Sequence, residues 1–321
     1  MLKVENLWVT FETKHASIQA VRGVSFEIAK GETLAIVGES GCGKSVTCHA
    51  IMGLNPPKFT KTSEKSVFYE GEDIANSRRG IQGNKISMIF QDPLTALNPT
   101  MCVGDQLVEG IRHHKKISNF EAKKRALDLI ERVGLDRVEE RFRQYPHEFS
   151  GGMLQRIVIA MALMCDPALL IADEPTTALD VTIQLKILRL IKGLQKQLNM
   201  GLLIVTHDLG VVSAVADRML VMYAGQVVES GLVEDILTKP QHPYTQALLA
   251  SMPSLAENVE QLHAIEGQPP DLALPPKGCA FYERCQVSIS KCLSEEPPSY
   301  KLGNNLVKCW LKDERVGCNV D

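Results

Sequence analysis

Apolar and polar positions alternate along residues 2–10 and again along 24–28, a period of two that predicts antiparallel strands. Between them, Phe11 to Ala20 reads as a loop. The pattern then changes to an unbroken apolar run, Leu34-Ala35-Ile36-Val37, suited to a short buried strand. A helix can continue through Val46–Met52 until Asn55-Pro56-Pro57 breaks the chain. Ser66–Glu70 and Lys85–Phe90 predict two further strands. Residues 103–165 are mostly helical, with helical periodicity in Val103–Ile111 and Glu121–Val133. The last helix of this region starts after Ser150, a good N-cap, and runs apolar to Cys165. Ala168–Ala172 and Leu202–Thr206 are apolar strands on either side of the helix Thr182–Leu198. Apolar strands alternating with helices predict an α/β fold with a parallel sheet, interrupted by a helical insertion.

Composition adds limits to this picture. The chain has 321 residues, enough for about two domains or one large domain with additions. A formal net charge of −3 gives no basis for bulk nucleic-acid binding. No stretch approaches the roughly 20 apolar residues that span a bilayer. The N-terminus, Met1-Leu2-Lys3-Val4-Glu5, lacks a signal-peptide core, so a cytoplasmic location is expected, with any membrane role through a partner. In that compartment the nine cysteines do not predict a disulfide framework. Cys42, Cys48, Cys102 and Cys165 are scattered, whereas Cys279, Cys285, Cys292, Cys309 and Cys318 crowd the C-terminal end.

The first chemistry lies just after the Leu34–Val37 strand. Gly38-Glu39-Ser40-Gly41-Cys42-Gly43-Lys44-Ser45 fits G-x-x-x-x-G-K-[ST] between a strand and a helix continuing at Val46. Glycines let successive N–H groups turn inward around a phosphate chain, and the helix N-terminus adds partial positive charge. Lys44 suits the β- and γ-phosphates, and the Ser45 hydroxyl suits Mg²⁺. Cys42 occupies a variable position here, and alkylation at it is expected to block nucleotide binding. In the loop from Phe11 to Ala20, Phe11 is the first candidate to stack on a base and His15 the second. An aromatic closing the edge of a sheet is the competing reading.

Downstream residues reinforce the phosphate reading. Leu169-Leu170-Ile171-Ala172 runs straight into Asp173-Glu174, placing two carboxylates at the C-terminal edge of a buried strand, where α/β sheets bind ligands. Asp173 suits the Mg²⁺ shell, and Glu174 suits orienting water or taking its proton. Gln91 follows another strand, and its amide is a candidate for contact with Mg²⁺ and the attacking water. The amides of Gly151 and Gly152 behind Ser150 open a helix and can meet an anion. Ala178-Leu179-Asp180 makes a tight connection into the next helix. His207 ends the Leu202–Thr206 strand and is a candidate γ-phosphate contact.

These pieces, in this order, resemble the nucleotide-binding subunit of an ABC transporter. Gly38–Ser45 matches Walker A, Gln91 the Q-loop, Ser150-Gly151-Gly152 the signature, Leu170–Glu174 Walker B, Ala178-Leu179-Asp180 the D-loop and His207 the switch histidine. The resemblance covers roughly residues 1–235. It implies a P-loop NTPase cassette with a RecA-like α/β core, an antiparallel β subdomain and a helical signature subdomain at about 92–165. It also implies ATP and Mg²⁺ as ligands. ATP contacts fall to Phe11, Gly38–Val46, Ser150–Gly152 and Asp180; Mg²⁺ contacts fall to Ser45, Gln91 and Asp173. Lys44, Gln91, Glu174 and His207 become the catalytic set. Each ATP would lie between the phosphate loop of one subunit and the signature of a second. The signature here reads Phe149-Ser-Gly-Gly-Met153 instead of the common Leu-Ser-Gly-Gly-Gln, which leaves Ser-Gly-Gly untouched.

The tail narrows the resemblance. Glu234–Leu237, His242–Leu249 and Gly267-Gln268-Pro269-Pro270 are similar to the C-terminal extension of dipeptide and oligopeptide importer ATPases, a subfamily that includes nickel importers. Residues 236–321 would form that extension, with the proline-rich stretch 269–276 as a stiff linker. Cys279-x5-Cys285-x6-Cys292-x16-Cys309 lacks the short knuckle usual for zinc. By its likeness to the same subfamily it implies a [4Fe–4S] cluster. The partners implied are a second ATPase subunit, usually a non-identical chain, two transmembrane permeases and an extracytoplasmic substrate-binding protein. The permeases' coupling helices would dock near Gln91 and residues 92–105. The place implied is the cytoplasmic face of the inner membrane. Competing readings are a nickel or other small-solute importer ATPase, a soluble ABC ATPase acting on DNA or ribosomes, and an iron–sulfur electron carrier. A single cassette without a basic tail disfavours the second, and intact Walker motifs disfavour the third.

Overall fold

The computed structural model describes residues 1–75, 80–177, 179–251 and 265–313. Ala178 and Cys318 lie outside the described residues. The chain divides into two compact units, one made of Met1–Glu27, Leu34–Asn76 and Thr206–Asp321, the other of Ile28–Thr33 and Ser77–Val205.

The first unit contains an antiparallel sheet built around the strand Leu2–Glu12. Ser17–Ile28 lies on one side of it, and Thr60–Thr62 and Val67–Tyr69 pair with it on the other. Leu2 and Val4 are buried, and so are Leu7 and Val9, so the alternation slips by one residue between the two pairs. Asn6 absorbs the slip with a left-handed backbone, φ 45°. Both strands outrun their expected bounds. Phe11 lies within the first strand, paired with Thr60, and not in a loop. The second strand begins at Ser17, because Arg22 is buried in it and hides its periodicity.

A second run of strands in this unit starts from Thr33–Val37, every residue of which is buried. Arg218–Tyr223 pairs parallel to it and antiparallel to Gln226–Leu232. Asn305–Val307 then adds to Gln226–Leu232, and Tyr300–Leu302 adds to Asn305–Val307. Residues near the C-terminal end thus extend a sheet that begins at the phosphate-loop strand. The segment 269–276 is also tied down: the Gln19 amide donates to the Leu272 carbonyl at 3.0 Å.

The second unit holds three parallel strands, Ile86–Ile89, Leu169–Asp173 and Gly201–Val205, with the middle one paired to both others. All their residues are buried, as continuous apolar runs require when both faces are covered. The helices Val103–His114, Asn119–Arg132, Val138–Arg143 and Gly151–Leu163 also belong to this unit. A capping box between Ser118 and Glu121 starts the second of them. Gly104 carries no side chain because a Cβ there would meet the Phe142 ring at 2.3 Å. Arg125 donates to the Met164 carbonyl at 2.6 Å, closing the last turn after Gly151–Leu163.

Near the end of the first unit, Glu229 is fully buried and accepts from the amides of Gln241 and His242 at 2.8 and 2.9 Å. His242 caps the helix Pro243–Ala250 through Nδ1, which accepts from the Tyr244 amide at 3.0 Å. Burial pushes its imidazole down to about 3. An unfolded imidazole titrates near 6.5. Between these values the unfolded chain binds a proton that the native chain does not. Stability is therefore whole above about 6.5 and falls, by about 1.4 kcal/mol per pH unit from this group, as pH drops toward 3. His242→Asn keeps a capping acceptor and removes the titration. Thermal midpoints from pH 7 to 5 are expected to fall more steeply for the wild type than for the variant; parallel curves would contradict the assignment.

Candidate functional site

The phosphate loop belongs to the first unit. Its three glycines all have positive φ: 151° at Gly38, 78° at Gly41 and 102° at Gly43. Two are required by space as well, since a Cβ on Gly38 would meet the Met222 carbonyl oxygen at 2.2 Å and one on Gly43 the Ala20 oxygen at 2.4 Å. The helix Lys44–Met52 follows, and no side chain caps its first amides. Those amides face the loop, which is the arrangement that binds anions. Lys44 is buried, and its ammonium donates to the carbonyls of Gly38 and Glu39, both at 2.9 Å. Ser45 and Val46 are half-buried on the first turn of the helix.

Glu39 is held from three directions. Its amide donates to the Tyr244 hydroxyl at 2.9 Å, its carbonyl accepts from Lys44, and its carboxylate accepts from Arg284 at 2.7 and 2.9 Å. The Arg284 side chain is only 5% exposed. Pairing with Glu39 holds the guanidinium above its ordinary range. Sequence reasoning missed Arg284, Tyr244 and Tyr223; only Arg284's place beside Cys285 in the cysteine-rich stretch drew attention to that region. Ser40, Gly41 and Cys42 line a cavity of about 240 Å³ whose opposite wall is Pro269–Leu272. His207, exposed, also belongs to this unit; it follows buried Thr206, whose hydroxyl accepts from the Asp208 amide at 3.0 Å.

The second unit gathers the carboxylates. Asp173 is the buried last residue of Leu169–Asp173. Glu174 follows with φ 44°, an uncommon backbone for a residue with a side chain. Its amide still donates to Val205 at 2.9 Å, so the turn begins while the strand ladder holds. One oxygen, Oε2, accepts from Gln91 Nε2 and from the Thr177 hydroxyl, each at 3.0 Å. Gln91 and Glu174, expected to act together, are thus hydrogen-bonded. Asp180 caps the helix Val181–Leu198, accepting from the Ile183 amide at 3.0 Å. Ser150 stands at the N-cap of Gly151–Leu163, as expected, and its hydroxyl makes no capping bond. Gly152 is buried, and a Cβ there would press on Ile183 at 2.9 Å.

The iron–sulfur expectation is overturned. Cys279, Cys285, Cys292 and Cys309 do line one cavity, with Phe281, Val287, Trp310 and Leu311. Its free space is about 10 Å³, that of a single water and far less than a four-iron cube. Burial pushes the Cys279 thiol up to about 12 and raises Cys285 and Cys309 as well, whereas cluster ligands are thiolates. Among the described residues, no group of three or more His, Cys, Asp or Glu is placed to hold a metal ion. The four thiols pack as small apolar groups among aromatic rings.

A glycine loop at an open helix N-terminus, and a parallel strand ending in two carboxylates, define an ATP-hydrolysing cassette. The chain belongs to the ABC transporter family. The family model described as ABC transporter matches residues 21–177, and the one described as oligopeptide/dipeptide transporter, C-terminal region, matches residues 228–292. The dipeptide transport ATP-binding protein DppD of Bacillus subtilis is 53% identical, over 98% of this chain and 96% of its own. The oligopeptide transport ATP-binding protein OppD of the same organism is 54% identical, over 97% and 88%. These relatives are named as ATP-binding proteins, with no cluster in the name. Among solved structures, the ATP-binding cassette MJ0796, a dimer in a post-hydrolysis state with ADP and Pi, superposes with a TM-score of 0.65 at 28% identity. It covers 73% of this chain and 99% of the other. The chain is an ATPase of this transporter family; no helix among its described residues is long and apolar enough to cross a membrane.

Cys42 is 5% exposed, and burial raises its thiol despite the nearby Lys44 ammonium. Iodoacetamide at pH 7.5 is expected to label it at least about tenfold more slowly than a free thiol peptide. Rapid labelling of the folded chain, followed by mass spectrometry of the loop peptide, would contradict this placement.

Proposed function

We propose that this chain is the ATP-hydrolysing subunit of a dipeptide or oligopeptide importer. The observation that carries the reading is a complete cassette joined, in one chain, to the C-terminal region described for oligopeptide and dipeptide transporters. That region favours peptides over nickel or another small solute, since the closely similar relatives are named for dipeptide and oligopeptide transport.

In this reading, the loop Gly38–Val46 wraps the triphosphate, and Lys44 leaves the carbonyls of Gly38 and Glu39 for the phosphate oxygens. Hard oxygen donors suit Mg²⁺, and Ser45, Gln91 and Asp173 supply them. When bound there, the ion would supply positive charge against the charge that develops on the transferred phosphoryl group. Glu174 orients the attacking water and takes its proton. Its fixed carboxylate, gripped on Oε2 by Gln91 and Thr177, supports that role. Phe11 meets the base, and His207 meets the γ-phosphate. Ser150, Gly151, Gly152 and Asp180 of one ATPase subunit complete the ATP site of another, so closure of the pair depends on the nucleotide.

The assembly proposed has a second, non-identical ATPase, two permeases and an extracytoplasmic binding protein, with this chain on the cytoplasmic face of the inner membrane. Residues 1–235 form the cassette, residues 92–165 its helical part that meets the permeases, and residues 236–321 the extension.

Two substitutions test the roles in the reconstituted transporter. Glu174→Gln is expected to bind ATP normally and lower turnover by about 10²–10⁴-fold, the range for loss of a general base. Lys44→Ala is expected to raise the ATP dissociation constant by about 10–100-fold through loss of a charge-assisted contact. Wild-type hydrolysis by the first, or wild-type affinity in the second, would contradict the assignment, as would uptake that ignores peptides.

A further inference from the structure

An acidic residue is an odd occupant of a loop that must hold a polyanion. Glu39 stands second in the phosphate loop, and its carboxylate adds negative charge where the triphosphate of the proposed reaction would arrive. Left alone, it would repel phosphate and compete for Lys44. The structure answers this charge from the C-terminal segment. Both Glu39 oxygens are taken by Arg284, Oε2 by Nη1 at 2.7 Å and Oε1 by Nη2 at 2.9 Å. The remaining N–H groups of Arg284 are also used. Nε donates to the Glu266 carbonyl at 2.9 Å, Nη2 to Ile265 at 3.1 Å and Nη1 to the Tyr223 hydroxyl at 3.2 Å. All five donors of the guanidinium therefore have acceptors, and the group cannot turn without breaking several bonds at once.

The same contacts fix the backbone that Lys44 leans on. The Glu39 amide is held by the Tyr244 hydroxyl, and its carbonyl by Lys44. Tyr223, Tyr244 and Phe281 pack ring against ring, with centroids 4.6, 5.3 and 5.4 Å apart. The Arg284 guanidinium lies 5.7 and 5.9 Å from the Tyr223 and Phe281 rings. A chain of direct contacts thus runs from Arg284 through Glu39 to Lys44.

We propose that Arg284 is a positioning residue for nucleotide binding: it neutralises Glu39 and sets the phosphate loop, so that the C-terminal segment controls ATP affinity. This rests on the ATPase reading and deepens it, since it makes residues far along the chain part of the control of the nucleotide site. Removing Arg284 would leave a half-buried carboxylate unpaired beside incoming phosphate and free the loop's second residue to move.

The test measures MgATP binding to the full-length chain by calorimetry, with thermal melts and, in the transporter, KM and kcat. Arg284→Ala is expected to raise both Kd and KM for ATP about tenfold, with the loss falling on KM and not on kcat. Arg284→Lys, which keeps the charge but not the fork, is expected to recover part of that loss. In a cycle with Glu39→Gln, the double variant is expected to bind ATP more tightly than Arg284→Ala alone, by a larger factor than any gain Glu39→Gln makes in the wild-type background, because the unpaired carboxylate is gone. Folded Arg284→Ala with wild-type affinity would overturn the proposal, and so would losses in the cycle that simply add. If Arg284→Ala does not fold, Arg284→Lys carries the test: a several-fold rise in Kd supports the proposal and an unchanged Kd overturns it. Wild-type chain that binds no ATP would sink the ATPase reading itself, a result that the Arg284 variants cannot mimic.

Discussion

Backbone packed against backbone is the constraint on which the nucleotide site depends. At Gly38 the chain passes so near Met222, and at Gly43 so near Ala20, that a single added carbon would collide with a carbonyl oxygen. This close approach leaves the loop no choice but glycine, and the positive φ at both positions reinforces it. The loop is therefore moulded by its neighbours before any ligand arrives. Preformed amides pointing at one place cost little reorganisation when an anion binds. Met222 and Ala20 belong to elements far apart in sequence, so the site is a product of the fold and not of a short peptide.

Charge is handled with similar economy in each unit. In one, Lys44 rests on two carbonyls of its own loop, a neutral parking place from which an ammonium can transfer to phosphate. In the other, Glu174 sits on a left-handed backbone at a strand end, with its carboxylate fixed by an amide and a hydroxyl. Strain of this kind persists only where surrounding contacts over-determine it. Here the ladder bond from Glu174 to Val205 does so on one side and the Thr177 turn on the other.

What could be read along the chain was whatever local pattern carries. Unbroken apolar runs placed Thr33–Val37, Ile86–Ile89, Leu169–Asp173 and Gly201–Val205 to within a residue or two, because burial on both faces leaves no polar alternation to misread. The phosphate loop and the acidic strand end were legible for the same reason, since each is contiguous. The strand Ser17–Ile28 was shortened because buried Arg22 and the left-handed Gly23 disguise it. Arg284 was invisible: its partner is 245 positions away, and no periodicity records such a pairing. The cysteine spacing was legible but misleading. Clustered thiols in sequence say nothing about whether their sulfurs surround a metal or, as here, a cavity of about 10 Å³ among aromatic rings.

Amide hydrogen exchange of the full-length chain, with and without MgATP, measures the central claim most directly. The account predicts strong new protection concentrated on the amides of Gly41 to Ser45, where the loop closes on phosphate. Nucleotide binding that leaves those amides exchanging as before, with protection appearing elsewhere in the chain, would contradict it.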